Sequence, residues 1–226
     1  MFAKFKDYRE VLSVLFPPLL PKNVLWRSCI IIGAPGSGKT ETMKKIVEFG
    51  VERYGGEERV NAVEGNLYDV LYWGIDLRPV QILCCDDFTL WRFPDKVKRD
   101  YFRVRHIYEK VTGRSYGLIV TILVTHRLHE IEKVFRHDVD LMIWKSVPSN
   151  PYDYNLAHRL LGEQVIRELR RHYRCRVVNT KSYGYAGWHS YGESGITYFP
   201  RARVNYLQPA TRPLWLRRTY WGTHHA

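Results

Sequence analysis

Acidic side chains are scarce in this chain: 23 Asp and Glu stand against 35 Lys and Arg, giving a formal net charge of +12 and a pI near 9.6. That imbalance points toward a polyanionic partner, nucleic acid or an anionic membrane surface, and charge alone does not choose between them. Long apolar runs are also missing. No stretch approaches 18 uninterrupted apolar residues, and the opening MFAKFKDYRE carries charges where a signal peptide needs an apolar segment, so a soluble cytoplasmic protein without membrane insertion is expected. Only four cysteines are present, at 29, 84, 85 and 175, and no C-x-x-C pair has metal-ligand spacing. They read as small buried hydrophobes in a reducing compartment. With 226 residues, 45% of them hydrophobic, the chain can build one sizeable α/β core with an appendage, or two modest domains.

The stretch CIIIGAPGSGKTETMKK, residues 29–45, fits G-x-x-x-x-G-K-[ST] at every fixed position. Three consecutive isoleucines predict a buried strand, because β-branched side chains suit a sheet and leave no polar face. A helix is expected from Lys39 or Thr40 to Tyr54, stopping at Gly55-Gly56. Between them, glycines let the backbone curl so that N–H groups and a helix N-terminus converge on one anion. The expected nucleotide contacts are Gly33, Ala34, Pro35, Gly36, Ser37, Gly38, Lys39, Thr40 and Glu41, with Lys39 reaching the β- and γ-phosphates and Thr40 holding Mg²⁺. The chain is expected to bind ATP. No N-K-x-D or T-K-x-D segment is present, which counts against a guanine-reading switch.

The second signal is VQILCCDDF, residues 80–88, an apolar strand ending in two carboxylates. Beside a P-loop, an acid at a strand tip binds Mg²⁺ and its neighbour polarises the attacking water; Asp86 is assigned to the metal and Asp87 to the water. A third apolar run, GLIVTILVTHRL, ends in Thr125-His126-Arg127, and VDLMIWKS supplies a last strand. Five strands are expected, at about 29–33, 59–63, 80–85, 118–124 and 139–145, alternating with helices. That alternation predicts an α/β fold with a mostly parallel five-stranded sheet sandwiched by helices.

The set GAPGSGKT, QILCCDDF and ILVTHR resembles the additional-strand branch of P-loop ATPases, which includes AAA+ proteins, RecA-like motors and FtsK/HerA translocases. The resemblance covers roughly residues 25–148. It implies that a strand carrying a polar sensor, here Thr125 and His126, lies between the P-loop strand and the Asp strand. The Asp-Asp pair is similar to helicase loaders and initiators, whereas VTHRL is closer to the sensor of FtsK/HerA motors, so the subfamily stays open. Glu64, at the end of NAVEG, competes with Asp87 as the catalytic base, by analogy with RecA-like motors; Asp87 is preferred for its adjacency to the metal ligand. Arg136 stands where AAA+ proteins carry the arginine finger that enters a neighbouring subunit, and a cationic helix C-terminus favoured by the dipole accounts for it equally well.

Two further stretches are cationic. DKVKRDYFRVRHIYEKVTGR, residues 95–114, predicts an amphipathic helix with one packed and one basic face, and NLAHRLLGEQVIRELRRHYRCR predicts another. From Lys181 the chain is rich in Tyr, Trp, Gly and Arg, with Glu193 as the only acid. Such a segment suits stacking on bases and contact with phosphates, or packing across the core. The expected organisation is a P-loop ATPase core over 1–150 and a helical element with a basic, aromatic extension over 151–226. The expected activity is Mg²⁺-dependent ATP hydrolysis coupled to action on DNA (translocation, packaging or helicase loading) by a homo-oligomer, as in elements such as viruses and plasmids. A P-loop small-molecule or nucleotide kinase is the alternative.

Overall fold

The computed structural model describes residues 3–88, 93–131, 135–136, 138–178 and 184–211. Its centre is a mixed sheet of eight strands in the order β7-β6-β5-β1-β4-β3-β2-β8. β1 (Val24–Ile32), β2 (Val60–Glu64), β3 (Val80–Cys85), β4 (Gly117–Thr125) and β5 (Leu141–Trp144) are mutually parallel and form the middle of it. β3, β4 and β5 are buried along their whole length. Their near-continuous Val, Ile and Leu content follows from this, since a strand covered on both faces has no use for polar alternation.

Successive side chains point to opposite faces, and the two cores divide accordingly. Cys29 and Ile31 of β1, with Val120, Ile122 and Val124 of β4, pack with Leu12 of α1 (Tyr8–Leu12), with Phe16 just beyond it, and with Met43 and Ile46 of α2 (Lys39–Arg53). Ile30, Ile32, Ile119 and Leu123 lie on the other side. They share that core with residues of α3 (Leu67–Tyr72), α4 (Asp95–Phe102), α5 (Val104–Thr112), α6 (Pro151–Leu161) and α7 (Glu163–Val178).

Three expectations need correction. The basic stretch 95–114 is two helices, not one, hinged at Arg103, which closes α4 and opens α5. The stretch 155–176 is likewise split, because Gly162 takes φ 81°, a left-handed value that interrupts a helix. The sheet has eight strands rather than five. β6 (Tyr185–Ser190) and β7 (Glu193–Tyr198) form an antiparallel hairpin on the free edge of β5, through a two-residue turn, Tyr191-Gly192, in which both φ angles are positive. β8 (Gln208–Pro209) adds in parallel to β2. Part of the segment expected as an aromatic extension is therefore sheet, and Ala186, Trp188 and Phe199 are core. The aromatic and basic residues Trp215, Arg217 and Arg218 lie outside the described residues, as does the Cys175 side chain. Among the described residues no helix is long and apolar enough to cross a membrane.

Candidate nucleotide site

The carboxyl ends of the parallel strands meet at the loop that follows β1. Pairing of β4 with β1 on one side and β3 on the other places Thr125-His126 between the P-loop and Asp86-Asp87, as the additional-strand resemblance implies. The loop is shaped by its glycines. Gly38 caps α2 at φ 80° and Gly36 sits at φ 70°, both costly for other residues. At Gly33 the constraint is space: a Cβ there would lie 2.6 Å from Ser37 Oγ and 3.0 Å from Lys145 Cβ. Nothing crowds Gly36 from outside, and Ala34, Pro35 and Gly36 are exposed, so the concave loop is open to a ligand.

Lys39 is buried, with Nζ 3.2 Å from the Ala34 carbonyl and 3.1 Å from His126 Nδ1. Burial holds its ammonium below the ordinary lysine value, against the opposing pull of Asp86 and Asp87. Thr40 Oγ1 donates to Asp86 Oδ2 at 2.9 Å, which joins the first turn of α2 to the tip of β3. Asp87 takes φ 50°, a left-handed value that Asp tolerates better than most residues, and this turns its side chain outward. Its Oδ1 lies 3.0 Å from His126 Nε2, so His126 stands between the P-loop lysine and the second acid. Thr125 is buried, and its hydroxyl donates to the Arg127 carbonyl while accepting from the Arg127 N–H. It shapes the turn that presents His126.

Glu64 ends β2 beside β3 and is half-buried. Burial raises its carboxyl above the ordinary glutamate range, and the nearby Asp86 charge adds to the rise. Glu41, in the first turn of α2, pairs with Lys44 and with Arg201 at 3.6 Å. Arg136 is not brought to the P-loop of its own chain. It lines a separate cleft with Trp26, Asp138 and Asp140 at the amino end of the strands, and its Nε is buried without a hydrogen bond among the described residues.

Several residues that shape the site were not anticipated. Ser146, just beyond β5, accepts a hydrogen bond from the Ala34 N–H at 2.9 Å. Asp153, buried in the first turn of α6, accepts from the His129 N–H at 2.8 Å and so ties the turn after β4 to α6. A cleft of about 810 Å³ opens between these elements, lined by Gly33–Pro35, His126 and Arg127, and 146–150. The polar Lys145-Ser146 pair ending an apolar strand is the signal that finds this edge, the same kind of signal that marks His126. The C-terminal strap 199–211 is the other unforeseen part. Arg203 and Val204 donate their N–H groups to the buried Glu48 of α2, and Ala210 donates its N–H to the Glu64 carbonyl at 2.8 Å.

This geometry suits a nucleoside triphosphate with a hard cation. The loop is one that a Cβ at Gly33 would fill, and Ser37 Oγ is buried with no hydrogen-bond partner among the described residues. The Thr40 hydroxyl and Asp86 carboxylate are the oxygen donors Mg²⁺ selects. No group of three or more His, Cys, Asp or Glu able to hold a metal occurs among the described residues.

The fold is α/β with a mostly parallel sheet, and it is similar to that of a solved genome-packaging NTPase. One solved relative in fold is the genome-packaging NTPase B204 from Sulfolobus turreted icosahedral virus 2 in complex with AMPPCP. It is 12% identical, with a TM-score of 0.51, over 77% of this chain and 97% of that one. The B204 DNA-packaging ATPase from Sulfolobus turreted icosahedral virus is 13% identical, with a TM-score of 0.49, over 80% of this chain and 99% of that one. At such identities the likeness is one of fold. No family model and no curated protein sequence matches the chain.

Proposed function

We propose that the chain is a Mg²⁺-dependent ATPase that couples hydrolysis to movement or packaging of DNA. One observation carries the reading: a P-loop with a buried Lys39 is joined through Thr40–Asp86 on one side and His126–Asp87 on the other. A fold shared with a packaging NTPase and a net charge of +12 support DNA as the object of the work.

In this reading the Lys39 ammonium and the N–H groups of Gly36, Gly38, Lys39 and Thr40 bind and orient the triphosphate, and Thr40 with Asp86 would hold Mg²⁺. The cation, when bound, neutralises phosphate charge in the transfer. Asp87 orients the attacking water, and His126 fixes the Asp87 carboxylate. Glu64 is a second reading for the base, favoured by its raised proton affinity, since a base tuned upward accepts a proton more readily near neutral pH. In an oligomer Arg136, which lies away from its own P-loop, would act on a neighbouring copy, and activity that rises steeply with protein concentration is the corresponding signature. The test is release of inorganic phosphate from Mg²⁺–ATP with and without duplex DNA over a protein-concentration series. Turnover stimulated by DNA supports the proposal; transfer to a small acceptor, with no phosphate released, favours a kinase.

A further inference from the structure

The two cationic helical regions differ in how their charges are used. On α7, Arg167 pairs with Glu163 at 3.0 Å, Arg171 with Glu168 at 3.4 Å, and Arg170 lies over the Tyr154 ring. These guanidinium groups are neutralised or covered locally. On the α4–α5 elbow, Lys96 pairs with Asp100 at 2.9 Å and Lys98 with Asp95 at 3.5 Å. Arg99, Arg103, Arg105 and Lys110 are exposed, and none stands in a close ion pair among the described residues, although, with Tyr72 and Lys96, the Arg103 charge helps to hold the Asp100 carboxyl below its ordinary range. The only other acid on the elbow, Glu109, faces His106 at 3.4 Å.

From these contrasts we infer that the exposed face of the α4–α5 elbow, through Arg99, Arg103, Arg105 and Lys110, grips the phosphate backbone of duplex DNA. The inference rests on the DNA-coupled reading above. Unpaired cations on a rigid face are what a phosphate backbone selects, and the planar fork of arginine matches phosphate oxygens. Helices of eight and nine residues, at 1.5 Å per residue, give a bent path of about 25 Å along the elbow, shorter than one turn of duplex.

An anionic membrane would need an apolar stripe to insert. Here Val97, Tyr101, Val104 and Tyr108 are all buried in the core. A single strand would need exposed rings for stacking, and among the described residues this face has only Tyr116 at its far end. The elbow is also well placed for coupling. It belongs to the crossover from β3, which is followed by Asp86 and Asp87, to β4, which ends in Thr125 and is followed by His126. Tyr101 anchors it beneath the sheet, its hydroxyl 3.0 Å from Thr121 Oγ1 and its ring edge-on to Trp26.

The test compares the full chain with two variants: Arg99→Gln/Arg103→Gln/Arg105→Gln/Lys110→Gln, and Arg167→Gln/Arg170→Gln/Arg171→Gln. Affinity for a labelled duplex of a few helical turns is read by fluorescence anisotropy across a salt series, after circular dichroism and melting confirm the fold. Each lost phosphate contact removes about 0.9 from the slope of log K against log salt. The elbow variant should therefore lose about 3.6 in slope and about three powers of ten in affinity near 0.1 M salt, with the α7 variant close to the parent. If the parent binds duplex and the elbow variant keeps its slope and affinity, the elbow assignment falls while the DNA-coupled reading stands. If the folded parent binds no duplex at low salt, or prefers anionic vesicles, the DNA-coupled reading falls and the elbow assignment with it.

Discussion

Glu48→Ala is expected to detach the C-terminal strap and to destabilise the protein by an amount that follows from the contacts of one carboxylate. Glu48 has no exposed surface, pairs with the buried Lys45 ammonium, and accepts the backbone N–H groups of Arg203 at 2.7 Å and Val204 at 3.1 Å. Deleting it leaves three donors without an acceptor, one of them a buried charge. Breaking a buried ion pair by removing one member costs about 3–5 kcal/mol, and at about 2–4 °C per kcal/mol for a chain of this size the melting midpoint should fall by about 6–20 °C. The double variant Lys45→Met/Glu48→Leu should recover part of that loss, because no charge is then stranded.

The acid dependence gives a second readout. Burial pushes the Glu48 carboxyl up, but Lys45 and the two backbone N–H groups outweigh it, and the folded value lies below the ordinary one. The contribution of Glu48 to stability is therefore complete above the unfolded value and is lost as pH falls through the lower folded value. In Glu48→Ala that part of the acid limb should be missing. Thermal melts by circular dichroism measure both effects, and hydrogen exchange at Arg203 and Val204 should quicken beyond the global change. A loss below about 1 kcal/mol, the range of an ordinary point mutation, would refute the reasoning about the strap.

Asp86→Asn should weaken the Mg²⁺ dependence of ATP binding, since the Thr40 hydroxyl loses its carboxylate partner; titrating Mg²⁺ at fixed ATP measures it. Asp87→Asn should bind ATP and hydrolyse it poorly, and if Glu64→Gln traps ATP while Asp87→Asn stays active, the base moves to β2. If Glu64 is the base, the acid limb of the pH–rate profile should lie above the ordinary glutamate value, because burial and then Asp86 raise its carboxyl. Gly117→Ala should destabilise by about 3 kcal/mol or more, since φ is 142° and a Cβ would lie 2.5 Å from Tyr108 Oη and 2.6 Å from the Pro79 carbonyl; denaturant unfolding measures it.

The parallel centre was legible because its signals are local. Apolar runs closed by a polar or glycine-rich tip mark β3, β4 and β5 to within two residues at either end, whereas β1 begins at Val24, five residues before the expected start, because Trp26, Arg27 and Ser28 break its apolar run. What was missed depends on contacts distant in sequence. Arg103 and Gly162 lie inside patterns with helical periodicity, and only tertiary packing shows that the helices turn there. The hairpin Tyr185–Tyr198 has the alternation and the Gly192 turn of a strand pair, but its aromatic and glycine-rich composition equally suits an irregular segment. β8 is two residues long and pairs with a strand more than 140 positions earlier, beyond any local pattern. In the site, the loop and the acids were evident from spacing. Ser146, Asp153 and the Glu48 anchor reach it only through the fold.

Phosphate release by the parent chain and by Lys39→Ala, each with Mg²⁺–ATP and with or without duplex DNA, tests the central claim most directly. Lys39 is the one P-loop side chain able to neutralise the β- and γ-phosphates. The parent should turn over ATP faster with DNA, and Lys39→Ala should show no turnover under either condition. Turnover at the parent rate in Lys39→Ala would contradict the assignment of this loop as the site of hydrolysis.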